Sequence, residues 1–212
     1  MSDRRRIILA SCSPRRRELL KKTGLKFTVD RSNYQEKLEA VLKPHDATRL
    51  LSIEKARHVA HKYHDALVIA ADTMIVLRGR LFGKPRNRED AKEMLRTLSG
   101  KAHSVITGFT IIDTASKKEL TRSVESRVFF KRLSMNEIEA YIRSGEPLDK
   151  AGAYGAQGLG AVLIRKIEGD FFNVMGLPLY ALAGSLKKFG IRVLDRTAIE
   201  NHKKRRPLCQ KL

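Results

Sequence analysis

Tryptophan is absent from this 212-residue chain, and its two cysteines, Cys12 and Cys209, lie almost at opposite ends. With aromatics at 6% of residues, the core has to be built from aliphatic side chains. Two cysteines this far apart supply neither a metal-ligand spacing nor a disulfide framework. No apolar run approaches the roughly 20 residues that a membrane-spanning helix needs. The opening Met1-Ser2-Asp3-Arg4 leads straight toward a strand and leaves no room for a signal peptide's apolar region. The expected compartment is therefore the cytoplasm. Negative charge is scarce as well: 43 Lys and Arg stand against 23 Asp and Glu, a net charge of +20. Such a surface attracts polyanions, either nucleic acid or a phosphorylated small molecule, and composition does not separate the two. Internal repeats, low-complexity linkers, P-loop spacing and the kinase motif set are all missing. A chain of this length makes one domain or one bilobed unit.

The stretch Ser11-Cys12-Ser13-Pro14-Arg15-Arg16-Arg17 stands out among what is present. The apolar run Ile7-Ile8-Leu9-Ala10 before it reads as a short buried strand, and Glu18-Leu19-Leu20-Lys21-Lys22 after it as a helix. Ser13 suits the N-cap and Pro14 the first helical position. Helix starts favour acids, so three arginines there carry an electrostatic cost. An anion at the free N–H groups, most naturally a phosphate, would offset it. The plainer alternative is a solvated basic turn.

Further along, Lys26 to Asp30 alternates as a second strand, and Arg31 to Pro44 reads as a polar loop holding Glu36. Asp46 is placed to cap a helix reaching about Tyr63, on which Ser52 and Lys55 share a face. Ala66 to Ala71 reads as a central strand that ends at Asp72-Thr73. An acid just past a buried strand is where α/β enzymes place catalytic groups, although an Asp capping a turn has the same look. A hairpin turning at Arg78-Gly79 follows, then Lys84 between Gly83 and Pro85 on a stiffened loop. Asn87 opens a helix that Gly100 ends. His103 to Asp113 and Leu120 to Phe130 suit an antiparallel pair, and Ser134 to Glu137 is a capping box. Lys150 to Gly158 is dense in glycine and lets backbone approach a ligand closely. Gly160 to Ile167, Phe171 to Val174 and Ile191 to Leu194 read as extended, with a last helix from Gly176-Leu177-Pro178 to about Phe189.

The Arg-rich helix start, the Asp72 strand end and the Lys84 and glycine-rich loops share one theme, the holding of a polyphosphate. Arg15, Arg16, Lys55 and Lys84 would neutralise charge. Asp72, with Glu36, would bind a divalent ion or activate water.

The ordered motifs Leu9-Ala10-Ser11-Cys12-Ser13-Pro14-Arg15-Arg16-Arg17, Glu54-Lys55-Ala56, Ala71-Asp72-Thr73, Gly83-Lys84-Pro85, Gly145-Glu146-Pro147 through Gly158, and Asn173 through Pro178 resemble those of the Maf-family nucleoside triphosphate pyrophosphatases. The likeness covers residues 7 to about 194, a domain of 1–194 followed by a basic tail of 195–212. It implies an α/β fold like that of Maf and inosine triphosphatase proteins: an extended mixed sheet flanked by helices, with two lobes around a central cleft. The implied reaction splits a nucleoside triphosphate into its monophosphate and pyrophosphate with a divalent cation, Mg2+ or Mn2+. Asp72 matches the proton acceptor, and Arg15, Thr73 and Gln157 match positions of substrate selection. Ser11, Arg16, Lys55 and Lys84 match cleft residues that bind substrate, and Glu36 and Asp72 match the metal site. Where the family commonly has an acidic pair after the second strand, this chain has Gln35-Glu36, a single carboxylate. Arg15 and Thr73 side with the subgroup that hydrolyses dTTP and UTP. The 7-methyl-GTP subgroup has a bulky aromatic and Gln at those positions. A nucleic-acid-binding module driven by charge is the rival from another class, disfavoured because no stacking aromatics interleave the basic runs. The residues leave the assembly open, a homodimer included.

Overall fold

An apolar run too continuous to leave either side in water becomes the central strand, β3 (Ala66–Leu77). The computed structural model describes residues 5–34 and 42–194. On one side of β3 lies β1 (Arg6–Leu9), parallel to it, with Arg6 opposite Ala66 and Leu9 opposite Ile69. The short β2 (Thr28–Val29) extends that parallel edge. On the other side run β5 (Ala102–Asp113), β6 (Glu119–Phe130) and β7 (Ile164–Glu168), all antiparallel to their neighbours. β4 (Arg80–Phe82) folds back along the far end of β3. The result is a mixed seven-stranded sheet, ordered β2-β1-β3-β5-β6-β7 with β4 beside β3. The β3–β4 turn rests on Arg78 and Gly79, both at positive φ, as a tight two-residue hairpin requires.

Strand alternation divides the core. Leu67, Ile69 and Ala71 of β3 join a cluster with Leu19 and Leu20 of α1 (Pro14–Lys22) and Leu182 and Leu186 of α6 (Leu179–Leu186). On the same face, Ile75 and Leu77 join Leu95 and Leu98 of α3 (Arg88–Leu98) and Ile138 of α4 (Met135–Arg143). These two clusters give the expected two lobes their physical form. A four-residue helix, α5 (Phe171–Val174), straddles them, with Phe172 packed on the first cluster and Val174 on the second. The opposite face carries α2 (Pro44–Ala60), whose Ala56 and Val59 pack on Val68 and Ala70.

The expected caps of α1, α3 and α4 are present: Ser13, Asn87 and Ser134 each accept an amide N–H of the first turn. Elsewhere the sequence reading needs correction. α2 begins with Pro44 in its first turn, ahead of Asp46, which pairs instead with Arg49. Asp72 and Thr73 lie inside β3, because their backbone goes on pairing with Gly108 and Thr107 of β5. Phe171–Val174 is helical, because the Asp170 carboxylate caps the amides of Phe172 and Asn173. Residues 158–163 wind as a 3-10 turn before β7 starts at Ile164. Ile191 to Leu194 forms no strand, and Ile191 and Val193 pack on the first cluster. No helix among the described residues is long and apolar enough to cross a membrane. The basic tail 195–212 lies outside the described residues.

α2 presses so closely on β5 that a Cβ at Gly108 would stand 2.3 Å from the Thr48 carbonyl oxygen. Both groups are backbone, so neither can swing aside. Gly108→Ala should cost about 3 kcal/mol or more in denaturant unfolding. Gly184→Ala, facing open space on α6, should be neutral or gain up to about 1 kcal/mol.

Candidate active site

The ladder on one edge of β3 has a gap. β1 pairs with it as far as Ile69, and β4 takes over only at Ile75. Residues 70–74 therefore have no strand neighbour on that edge among the described residues. The loop leaving β1, from Ala10 to Ser13, forms one wall of this notch, and Gly83-Lys84, leaving β4, forms the other. Alternation sends Asp72 toward the face of α2 and Thr73 toward the face of α1. One notch thus presents an acid on one side of the strand and a hydroxyl on the other.

On the α2 side, Lys55 donates to Asp72 Oδ1 at 2.5 Å, with both side chains largely buried. Asp72 Oδ2 carries no hydrogen bond among the described residues. The salt bridge fixes one oxygen of the carboxylate and leaves the other available.

On the α1 side, Arg16 Nη2 donates to Thr73 Oγ1 at 3.1 Å, and its Nε donates to the Gly176 carbonyl at 2.9 Å. Gly176 has φ +104°, and a Cβ there would lie 3.3 Å from Thr73 Oγ1. A side chain at that position would crowd the contact as well as strain the backbone. Thr73 Oγ1 also lies 3.0 Å from Thr107 Oγ1, which donates to the Asn173 carbonyl at 2.9 Å. Asn173, fully buried, ties the set to the sheet: its Nδ2 donates to the Val105 carbonyl and to Ser126 Oγ. This polar seam runs between the two apolar clusters, under α5.

The glycine-rich segment is held by groups that the sequence reading did not single out. Glu146 accepts from the Tyr141 hydroxyl at 2.9 Å, the Leu159 amide at 2.9 Å and the Gly160 amide at 3.0 Å. The Tyr141 oxygen accepts in turn from the Gly155 amide at 3.1 Å. Burial pushes the Glu146 carboxyl up, but those donors and the Lys150 charge outweigh it and hold the group below its ordinary range. Residues on both sides of Gln157 are thus tied to one carboxylate. A glutamate three residues after a helix, followed by a proline and a glycine-dense run, was the signal available in the sequence.

Ser11, Arg16, Lys55, Asp72 and Thr73 are brought together at the notch. Ser11 is buried at its β1 wall, where its Oγ accepts from the Ser13 amide at 3.2 Å. Arg15 is half-buried on the next turn, and its charge acts on Tyr141 and Asp149 of the glycine-rich side. Lys84 is exposed on the opposite wall, where the Gly83 carbonyl accepts from the Gly152 amide at 2.9 Å. Gln157 is exposed on its clamped loop, and its side chain makes no hydrogen bond among the described residues. Glu36 lies outside the described residues. No group of three or more His, Cys, Asp or Glu among the described residues could hold a metal by itself.

A mixed sheet with a carboxylate–ammonium pair and an arginine-bearing helix tip at one gap in its ladder is the architecture to be placed. The chain belongs to the family described as Maf-like protein, which it matches over residues 6–189. Among its relatives is a protein of Pelotomaculum thermopropionicum named dTTP/UTP pyrophosphatase, 50% identical over 89% of this chain and 98% of the other. Proteins of the same name from Methanosarcina barkeri and Bacillus anthracis are 47% and 46% identical, over 90% and 89% of this chain and 98% of each of theirs. Among solved structures, the Staphylococcus aureus Ham1 protein is similar at 15% identity and a TM-score of 0.44, over 75% of this chain and 79% of that one.

Beside the clamped loop, His103 Nε2 lies 2.7 Å from the Tyr154 hydroxyl in the second cluster. Burial pushes His103 down to about 4 from its ordinary 6.5. Between those values the unfolded chain binds a proton that the folded chain does not, so stability falls as pH falls. Unfolding measured from pH 7 to pH 4 should lose about 3 kcal/mol through this group, beginning near pH 6.5. In His103→Phe that part of the slope should flatten.

Proposed function

We propose that the protein hydrolyses dTTP and UTP to the monophosphate and pyrophosphate at this notch. The observation that carries the reading is the meeting of Arg16, Thr73, Asp72 and Lys55 at five residues of β3 that have no strand neighbour on one edge among the described residues. Phosphoanhydride hydrolysis needs cations where charge accumulates and a carboxylate that aims or deprotonates water. Relatives about half identical to this chain carry the name of that activity.

In this reading the triphosphate lies between the two walls of the notch. Arg16 and Lys84 neutralise its oxygens, and Ser11 hydrogen-bonds to it. Asp72, held at one oxygen by Lys55, takes a proton from the attacking water with the other. The water oxygen bonds to the α-phosphorus, the bond to the bridging α–β oxygen breaks, and pyrophosphate leaves with that oxygen. Arg15, Thr73 and Gln157 face the base.

The donors present suit a hard divalent cation such as Mg2+ or Mn2+. Such ions are commonly held by one or two carboxylates together with substrate phosphates, and Asp72 keeps an unbonded oxygen. Asp72, with Glu36, would hold it. A cation there would neutralise phosphate charge and lower the pKa of a bound water. The paucity of cysteine supports a cytoplasmic site of action.

Asp72→Asn should lower pyrophosphate release by ~10³-fold in a protein that still folds by circular dichroism, with a lowered thermal midpoint because Lys55 loses its buried counter-charge. Near-normal turnover in that variant would refute the assignment. In parallel assays UTP and dTTP should be preferred over 7-methyl-GTP, and a clear preference for the purine would move the chain to the other subgroup.

A further inference from the structure

We propose that Thr107, which touches no substrate, fixes Thr73 as a hydrogen-bond acceptor and so selects a pyrimidine bearing an N3–H, uracil or thymine, against cytosine. This rests on the reading above, in which Thr73 faces the base.

The direction of the bonds follows from counting protons. A threonine hydroxyl has one hydrogen and two lone pairs. The Asn173 carbonyl can only accept, so the 2.9 Å contact uses the single Thr107 proton. Thr107 must then accept across its 3.0 Å contact with Thr73, which makes Thr73 the donor there. Arg16 can only donate, so it fills one lone pair of Thr73 Oγ1. With its proton committed and one lone pair filled, Thr73 can offer a ligand only the second lone pair. Thr107 is fully buried, so no water competes for this arrangement.

An acceptor at that point has a chemical consequence. The Watson–Crick edge of uracil or thymine reads acceptor, donor, acceptor at O2, N3–H and O4. The complementary wall is donor, acceptor, donor, which the Arg15 guanidinium, Thr73 Oγ1 and the Gln157 amide would supply in the reading that has all three face the base. Cytosine has an unprotonated N3, so its lone pair would meet that of Thr73. A buried polar pair left unmatched in this way discriminates more strongly than a missing methylene. If Thr73 could turn its proton outward, cytosine would be accepted. Thr107 and the carbonyl behind it prevent that turn.

The test is the ratio of kcat/KM for UTP to that for CTP. Thr107→Val keeps the shape and removes the acceptor, freeing the Thr73 proton. The ratio should fall by about tenfold, through KM, with kcat on UTP within about threefold of wild type. Thr107→Ser, which restores the hydroxyl, should return the ratio to within about twofold. Should Thr107→Val fail to fold by circular dichroism, Thr107→Ala removes the same oxygen without the bulk and carries the same expectation. An unchanged ratio in a folded variant overturns the proposal and leaves the functional reading standing. So does equal loss on both nucleotides, or a serine that fails to restore selection. Absence of pyrophosphate release from UTP and dTTP by the wild-type protein overturns the functional reading, and this inference with it.

Discussion

Strand β3 changes partners on one edge, and between those partners five residues have no strand neighbour on that edge among the described residues. A central strand normally has apolar side chains on both faces and backbone bonds on both edges. Here the edge opens while the faces stay covered, by α2 on one side and by α1 and α5 on the other. Polar side chains can occupy the gap because, among the described residues, that edge of β3 is not closed there by a neighbouring strand. Asp72 and Thr73, adjacent in sequence, therefore serve opposite faces of one opening. Their partners come from helices on opposite faces of the sheet: Lys55 from α2 and Arg16 from α1.

The same break separates two apolar clusters, and the seam between them is polar. Thr107, Ser126 and Asn173 are all buried there, where unsatisfied groups would be costly. Nearly all of their polar atoms have partners; the Asn173 Oδ1 has none among the described residues. A network of this kind holds Arg16 and Thr73 in one geometry from behind, as preorganised electrostatic sites require. On the far side of the notch a second device does comparable work. One carboxylate, Glu146, gathers two backbone amides and a phenol, and fixes the loop that displays Gln157.

Much of this was legible in the chain. Ser13 and Pro14 mark the start of α1, Asn87 that of α3 and the Ser134–Glu137 box that of α4, because caps depend on a few adjacent residues. The hairpin at Arg78-Gly79 and the pairing of the two long strands were legible for the same local reason. Where the reading failed, a distant contact decided in one case and a local cap overrode strand propensity in another. Asp72 looked like the end of a strand because the apolar run stops there, yet pairing with Gly108 carries the strand on. Phe171 and Phe172 suit a strand by propensity, but the Asp170 cap winds them into a helical turn.

Charge, caps and the order of the motifs are properties of neighbouring residues, so the sequence alone determined the basic helix tip, the acid at position 72 and the family to which they point. It also determined which residue types were available for phosphate and for a base. Only the tertiary structure decided that β1 stops pairing with β3 at Ile69 while β4 pairs with it only from Ile75, which opens the notch between them. Only it set Thr107 between Thr73 and a buried carbonyl, 34 and 66 residues away along the chain. Strand register and hydrogen-bond direction are settled by groups far apart in sequence, and no local pattern records which of them will meet.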